Sequence, residues 1–268
     1  MTTSAPAVEA PLVLRTAGED GIVRLTLNRG ERFNVLSTAM VAALQAELDA
    51  IAADPAARVV ILAAEGRGFC AGHDLKEMRS HVGDERWQRQ LFDDCCRMML
   101  TLMQLPQPVI ARVHGVATAA GCQLVSMCDL AVAADTATFA MPGVNIGVFC
   151  STPAVGVVRN VGRKHAMEML LTGEMIDAHT VLEWGLVNRV VPAEALDAEI
   201  RRFTDIILAR SAAAIRIGKQ TFYEQIDAPI GSAYDTASGA MASNLSLEDA
   251  AEGMDAFLAR RPAHWHGR

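Results

Sequence analysis

The chain has 268 residues and a formal net charge of −7, and 51% of its residues are hydrophobic but only 5% aromatic. This length accommodates one large domain or a domain with an appended subdomain, and the acidic balance without a basic run excludes nucleic acid as an expected partner. No uninterrupted apolar run approaches the roughly 20 residues of a membrane-spanning helix, so no membrane partner is expected.

The six cysteines form no C-x-x-C pair, and no histidine lies at metal-ligand spacing from them. This usage favours small buried thiols in a reducing cytosol over disulfides or a metal site. Segment 1–11 is rich in Ala, Pro and Thr and lacks both the basic stretch and the apolar core of a signal peptide. We therefore expect a short disordered tail and a cytoplasmic protein.

The first predicted elements are a hairpin and a helix. Residues 12–28 alternate between apolar and polar side chains, which predicts two strands that turn near Gly18–Gly21. Ser37 is placed to cap a helix whose apolar residues recur at intervals of three and four. These residues are Val41, Leu44, Leu48 and Ile51.

Strand, glycine loop and helix then recur along the chain. Strands are predicted over 59–63, 109–113 and 130–133, a long helix from about Asp84 until Pro106, and a helix over 121–128. Such repetition predicts an α/β core. Beyond Pro192 the pattern is helical throughout. We therefore predict an α/β core over 12–192 and a helical C-terminal region over 193–268.

Two loops carry the strongest functional signal. Segment 68–78 reads GFCAGHDLKEM and segment 114–123 reads HGVATAAGCQ, and each follows a β-branched run and precedes a helix. A strand, a loop of small residues and a helix start direct free backbone N–H groups towards a developing negative charge. Either loop alone is more commonly a tight turn, but two together can supply two donors to one oxyanion.

These loops resemble those of the crotonase (enoyl-CoA hydratase/isomerase) superfamily, and the likeness extends from Asn28 to the segment 252–258. The resemblance implies a crotonase-like spiral of ββα repeats with two near-perpendicular sheets. It also implies C-terminal helices that form trimers, often paired into hexamers. The implied ligand is an acyl-CoA thioester, with coenzyme A as part of the substrate and no separate cofactor or metal. The implied oxyanion donors are the N–H groups of Ala71 and Ala120.

The chain departs from the family pattern at two positions. Family hydratases end the second loop motif with a glutamate, where this chain has Gln123, and carry a second glutamate after a proline, where this chain has Gly143. Glutamine cannot exchange a proton at neutral pH, and glycine has no side chain. We therefore expect an oxyanion hole without the usual pair of acid/base carboxylates. Misalignment, with Glu168 or Glu174 in that role, is disfavoured because their own segment matches the family at its expected place.

Other side chains are weaker catalytic candidates. Asp74 precedes a helix and is better interpreted as its N-cap than as a base, and Asp129 as a turn residue. Cys150 and Ser151 lie where the family builds its acyl pocket, but a nucleophile there needs a nearby base. The remaining candidates are Asn145, His81, His114, Asp84 and Glu85.

For coenzyme A, the resemblance implicates Arg29 and the first loop, with Cys70, Ala71, His73, Asp74 and Leu75. His73 either faces this ligand or is a surface histidine. Near the C-terminus the resemblance adds Phe257 and Arg260, whose guanidinium suits a phosphate. For Arg29 or Arg260 taken alone, a solvated surface charge is nearly as common as a contact with coenzyme A.

Family analogy predicts an enoyl-CoA hydratase/isomerase of fatty-acid metabolism. The resemblance implies an acyl-CoA-binding protein that stabilises a thioester enolate, and the residues Gln123 and Gly143 make glutamate-dependent hydration doubtful. The alternative is a catalytically silent acyl-CoA binder or assembly partner.

Overall fold

The computed structural model describes residues 10–267, so positions 1–9 of the expected tail lie outside the described residues. In the described part the strands are Val13–Ala17 (β1), Ile22–Leu27 (β2), Val59–Ala64 (β3), Gly68–Cys70 (β4), Val109–Val113 (β5), Val116–Thr118 (β6), Leu130–Ala134 (β7), Thr138–Ala140 (β8), Ile176–Asp177 (β9) and Arg189–Val191 (β10).

The helices of the same part are Thr38–Ala52 (α1), Leu75–Ser80 (α2), Glu85–Gln104 (α3), Ala120–Met127 (α4), Ser151–Val157 (α5), Arg163–Thr172 (α6), Ala178–Trp184 (α7), Leu196–Leu208 (α8), Ala212–Gln225 (α9), Ile230–Leu245 (α10) and Glu248–Ala259 (α11). Short 3-10 helices span Gly30–Arg32, Pro142–Ile146 and Ala193–Ala195.

The strands form two sheets. The larger sheet has the order β1-β2-β3-β5-β7-β10 and is parallel except for the predicted β1–β2 hairpin. The smaller sheet has the order β4-β6-β8-β9, with β4, β6 and β8 parallel. Strands β3, β5 and β7 are almost entirely buried, as expected for parallel strands covered on both faces.

The two sheets arise from repeated ββα units. In each unit the first strand (β3, β5 or β7) joins the larger sheet, and the second (β4, β6 or β8) joins the smaller one before a helix begins. This arrangement, followed by the helices α8–α11, confirms the predicted crotonase-like α/β fold. The second strand of each unit is only three residues long and carries no alternating pattern.

Local capping fixes where several helices begin. Ser37 Oγ accepts a hydrogen bond from the Met40 N–H at 3.2 Å, as predicted. Asp84 Oδ1 accepts from the Trp87 N–H at 3.0 Å, and Ser211 Oγ from the Ala214 N–H at 3.1 Å. These bonds satisfy N–H groups that a helix cannot pair internally.

Asp129 lies in the bend between α4 and β7, as expected of a turn residue, and its side chain also joins the C-terminal helices to the core. Its carboxylate accepts hydrogen bonds from the Lys219 ammonium at 2.7 Å, the Tyr223 hydroxyl at 2.9 Å and the Val109 N–H at 2.7 Å. Lys219 is almost fully buried, and burial lowers its pKa. Neither the domain limit near Pro192 nor the assembly into trimers is tested by the single chain, and both stay predictions.

None of the helices over residues 10–267 is long and apolar enough to cross a membrane.

Candidate active site

The two glycine loops lie side by side because β4 and β6 are parallel neighbours. Gly68 pairs with Val116 and Cys70 with Ala117, so the carboxyl ends of both strands meet at one edge of the smaller sheet. The Thr118 hydroxyl donates a hydrogen bond to the Ala71 carbonyl at 3.2 Å and joins the loops directly.

Glycine permits this close approach at two positions. A Cβ on Gly121 would overlap the Cys70 carbonyl group. Gly72 has φ of +90°, and a Cβ there would lie 2.9 Å from the Ala119 Cβ. Both positions therefore require glycine for conformational or steric reasons, and the loops are packed backbone against backbone.

The second loop presents backbone donors at the start of α4. Ala119 precedes the helix with φ of 49°, a strained value for a residue with a Cβ, and its own N–H donates to the Ala140 carbonyl at 2.9 Å. Ala120 is the first helical residue, so the helix offers its N–H no internal acceptor. A Cβ on Gly72 would lie 3.3 Å from the Ala120 nitrogen, which places that nitrogen next to the first loop.

In the first loop the structure corrects the expected donor. The Ala71 N–H already donates to the Phe33 carbonyl at 3.0 Å, so it is not free to bind an oxyanion. Two residues further along this loop, His73 forms an isolated parallel β-bridge with Leu36.

That bridge determines where the His73 N–H points. The Gly72 carbonyl accepts from the Leu36 N–H at 2.8 Å, and the Asp74 N–H donates to the Leu36 carbonyl at 3.3 Å. Successive peptide groups of an extended chain point to opposite sides, so the His73 N–H faces away from Leu36. No described residue accepts a backbone hydrogen bond from it. The geometry therefore moves the first candidate donor from Ala71 to His73.

The His73 side chain is not the surface histidine that was one of the two expectations. Its ring packs edge-on against Phe92 of α3 with 5.5 Å between ring centroids. Its Nε2 is buried and has no hydrogen-bond partner among the described residues. Burial lowers the pKa of His73 to about 4, so the imidazole is neutral at physiological pH.

The rest of the first loop borders a cavity. Asp74 is the N-cap of α2, as expected, and accepts from the N–H groups of Lys76 at 2.9 Å and Glu77 at 3.3 Å. Cys70 is fully buried, and burial raises its pKa to about 12, so it stays a thiol. The cavity has a volume of about 320 Å³ and is lined by Arg32, Phe33, Val35, Ala71 and the residues from His73 to Lys76.

The two positions of the expected glutamates are both buried. Gln123 on α4 is only 3% exposed, and its Oε1 has no partner among the described residues. Gly143 lies in the 3-10 helix that follows β8. A Cβ at Gly143 would lie 2.8 Å from the Val148 carbonyl oxygen and 2.9 Å from the Cys150 Sγ, so neighbouring atoms occupy the space that a side chain would need.

The side chains that follow Gly143 have local partners. The Ser151 hydroxyl donates to the Phe149 carbonyl at 3.4 Å, and the Asn145 amide donates to the Gly173 carbonyl at 3.4 Å. Burial raises the pKa of the Cys150 thiol. Neither Cys150 nor Ser151 has a histidine or carboxylate partner in the described part of the chain, as a nucleophile would require.

The candidate histidines also have structural contacts. His114 Nε2 lies 2.9 Å from the Gly66 carbonyl oxygen. His81 stacks on Trp87 with 4.0 Å between ring centroids. Within residues 10–267 there is no cluster of side chains that could hold a metal ion.

The candidate coenzyme A contacts outside the first loop differ in their surroundings. The Arg29 guanidinium donates to the carbonyls of Ala10, Pro11 and Asn28, so it holds the start of the described chain. Phe257 is 82% exposed on α11, and Arg260 ends that helix in the left-handed conformation. Their roles in binding stay predictions.

Comparison with known proteins assigns the chain to a family. The family model described as enoyl-CoA hydratase/isomerase matches residues 17–268. The mouse protein named enoyl-CoA hydratase domain-containing protein 3, mitochondrial, is 44% identical over 255 residues, which are 95% of this chain and 85% of the relative.

Solved structures agree with this match. The crystal structure of an enoyl-CoA hydratase from Mycobacterium smegmatis has 52% identity and a TM-score of 0.94, covering 96% of this chain and 100% of that one. The crystal structure of human enoyl coenzyme A hydratase domain-containing protein 3 has 43% identity and a TM-score of 0.91, covering 95% and 100%.

The comparisons also correct the expected compartment. The relatives from mouse, Xenopus laevis and human are named mitochondrial, so the cytoplasmic expectation was wrong by this finding. Cysteine usage could not reveal this, because it reports only a reducing environment. The match over almost the whole sequence identifies the chain as a member of the enoyl-CoA hydratase/isomerase family.

Proposed function

We propose that this protein binds an acyl-CoA thioester and stabilises its enolate-like form through the backbone N–H groups of His73 and Ala120. The observation that carries the proposal is the pair of adjoining loops, in which the N–H of His73 and the N–H of Ala120 have no acceptor among the described residues. Family membership supports a coenzyme A thioester as the ligand.

The chemistry follows from where charge develops. A thioester carbonyl oxygen gains negative charge when the neighbouring carbon loses a proton or when the next carbon is attacked. Two fixed N–H donors stabilise that charge, and removal of one such donor typically costs about 10²–10³ in rate. The start of α4 adds a modest favourable dipole at Ala120.

We further propose that hydration by paired glutamates is not available to this protein. The family positions of those carboxylates are assigned to Gln123 and Gly143, and neither residue can act as a general acid or base. The crowding of Gly143 by Val148 and Cys150 supports this assignment, because a glutamate there would need a different local backbone.

Two candidate roles follow. The oxyanion hole favours an enzyme that uses the enolate for another step, such as isomerisation, decarboxylation or thioester hydrolysis. The absence of a carboxylate at both Gln123 and Gly143 favours a catalytically silent acyl-CoA binder or assembly partner. Incubation with a panel of acyl-CoA thioesters, followed by mass spectrometry, separates them: a mass change or free coenzyme A supports the enzyme, and unchanged bound thioester supports the binder.

The cavity beside Ala71, His73 and Leu75 supports binding of the coenzyme A moiety there, and Phe257 and Arg260 are proposed to complete that site.

We also propose assembly into a homotrimer or hexamer. Large apolar side chains exposed on the last helices support assembly: Ile230, Tyr234, Met241, Leu245, Phe257 and Leu258.

The oxyanion hole is tested by changing the ligand and then the protein. Calorimetric titration should show that butyryl-CoA binds more tightly than the matched S-butyl-CoA thioether, which lacks the carbonyl. Ala120→Pro removes the backbone N–H, which a change of side chain alone cannot do. This variant should lower the ratio of thioester to thioether affinity by about tenfold, the effect of one hydrogen bond to a charged or polarised group.

Ala212→Pro provides the matched control, since Ala212 is the first residue of α9 and proline is well tolerated at that helix position. Circular dichroism checks that both variants fold. Equal affinity of the wild-type protein for thioester and thioether would contradict the oxyanion hole, and this comparison does not depend on any variant folding.

A further inference from the structure

Glu77 connects the helix after the first oxyanion loop to the start of α1. It is the third residue of α2, and its own N–H donates at 3.3 Å to the carboxylate of Asp74, the N-cap of that helix. A glutamate at this position commonly turns back to bond the N–H of the N-cap residue. Here the Asp74 N–H already donates to the Leu36 carbonyl. The Glu77 carboxylate is therefore free to bond another group.

That group is Thr38, the first residue of α1. Glu77 Oε2 accepts from the Thr38 N–H at 2.9 Å, and Glu77 Oε1 accepts from the Thr38 hydroxyl at 2.5 Å. The hydroxyl of the N-cap, Ser37, bonds the Met40 N–H instead, and the helix itself offers the Thr38 N–H no acceptor. Both carboxylate oxygens of Glu77 thus hold the start of α1.

This contact continues the bridge that orients the His73 N–H. In the bridge the Leu36 N–H donates to the Gly72 carbonyl at 2.8 Å. The Asp74 N–H donates back to the Leu36 carbonyl at 3.3 Å, which is long for a hydrogen bond of this kind. Glu77 bonds the chain two residues beyond Leu36, so it closes the weaker end of the bridge.

Building on the proposed function, we infer that Glu77 is a positioning residue, which holds the first loop so that the His73 N–H meets the thioester oxygen beside the Ala120 N–H. Glu77 acts through the loop and not on the ligand, because Thr38 engages both of its carboxylate oxygens. Its contribution is geometric. A negative charge close to an enolate would oppose the developing charge.

The affinity ratio of butyryl-CoA to S-butyl-CoA tests this role, because both ligands carry the same coenzyme A moiety and only one has the carbonyl. Calorimetric titration measures both affinities. Glu77→Ala should lower the ratio by about threefold to tenfold, since a displaced N–H loses part or all of a hydrogen bond to a polarised oxygen. A merely structural role would change both affinities alike and leave their ratio unaltered.

Glu77→Gln separates the geometry from the charge. Its amide oxygen can accept from the Thr38 N–H, and its amide N–H can donate to the Thr38 hydroxyl oxygen, so both contacts persist. This variant should keep the wild-type ratio. A ratio as low as that of Glu77→Ala would overturn the geometric role. Glu183→Ala removes an exposed glutamate from α7, serves as the control for loss of a helical carboxylate, and should also keep the ratio.

Thr38→Pro breaks the same contact from the other side and decides the question even if Glu77→Ala does not fold. Proline lacks both groups that bond Glu77, and it is well tolerated at the first position of a helix. It should lower the ratio as Glu77→Ala does, and the two changes combined should lower it no further.

An unchanged ratio in a folded Glu77→Ala or Thr38→Pro protein would overturn the inference and leave the proposed function intact. A ratio near one in the wild-type protein would overturn the oxyanion hole itself, and the inference with it.

Discussion

The loops after β4 and β6 differ from the segment after β8, although all three follow the second strand of a ββα unit. The first two loops offer backbone N–H groups, which any residue except proline supplies, so the feature persists wherever the loop geometry persists. The third segment has Gly143 where a side chain is expected, and Val148 and Cys150 fill the space. Function that resides in the backbone follows the fold, whereas function that resides in a side chain can be absent from the same fold.

The largest expected effect concerns the hydration reaction and tests the third segment. Crotonyl-CoA should be hydrated at least about 10⁴-fold more slowly than by a family hydratase with both glutamates, because each general acid or base contributes about 10²–10⁴. Loss of the enoyl thioester absorbance measures the rate. Efficient turnover by the unmodified protein would show that other residues supply the acid and base.

Restoring the carboxylates sharpens the same contrast. Gln123→Glu keeps the length of the side chain. Position 143 tolerates a side chain less well, because Gly143→Ala alone should lower the free energy of unfolding by about 1–3 kcal/mol through overpacking against Val148 and Cys150. The combination of Gln123→Glu with Gly143→Glu should therefore recover only part of the missing rate. Full recovery would mean that this segment rearranges easily.

The next effect tests the backbone packing of the first two loops. Gly121→Ala places a Cβ against the Cys70 carbonyl and should destabilise the protein by about 3 kcal/mol or more, with loss of acyl-CoA binding. Gly218→Ala is the control, since nothing lies within 4 Å of a Cβ there in α9, and it should stabilise by up to about 1 kcal/mol. Urea unfolding measures both. A Gly121→Ala protein as stable as the wild type would contradict the close packing of the loops.

The smallest effect separates the backbone of His73 from its side chain. The folded pKa of about 4 lies below the ordinary value near 6.5, so the unfolded chain binds more protons between these values. The stabilisation is complete above about pH 6.5 and is lost as the pH falls towards 4, by up to about 3 kcal/mol.

Urea unfolding at pH 7 and pH 4.5 measures this loss. His73→Ala should reduce the pH dependence yet retain acyl-CoA binding, because alanine keeps the backbone N–H. His81→Ala, at a partly exposed histidine stacked on Trp87, is the matched control for folding and for acyl-CoA binding of a His→Ala variant. An unaltered pH slope in His73→Ala would contradict the buried neutral imidazole.

Much of the fold could be predicted from periodicity and from the family resemblance. The amphipathic pattern after Ser37 and the apolar run before Pro106 predicted α1 and α3 correctly, because each buries one face. The strands β4, β6 and β8 were missed from pattern alone, since three residues are too few to show an alternation. Only the family resemblance indicated the second sheet.

The candidate site was less predictable. The motif identified both loops, but sequence could not show that the Ala71 N–H bonds to Phe33 and that the Leu36 bridge orients the His73 N–H. That distinction depends on a contact between residues 38 positions apart in the chain, a separation that no local pattern encodes. The buried Nε2 of His73 and the unpaired Oε1 of Gln123 likewise depend on tertiary packing.

The carboxylate of Asp129 has a consequence for how the molecule unfolds. It connects the start of β5, the chain just after α4, and two side chains of α9 at one buried point. Separation of α9 from the sheet would break the hydrogen bonds of Lys219 and Tyr223 to Asp129 together, which is unfavourable. The last helices and the sheet should therefore melt in one cooperative transition, so the loops after β4 and β6 and the last helices share a single stability.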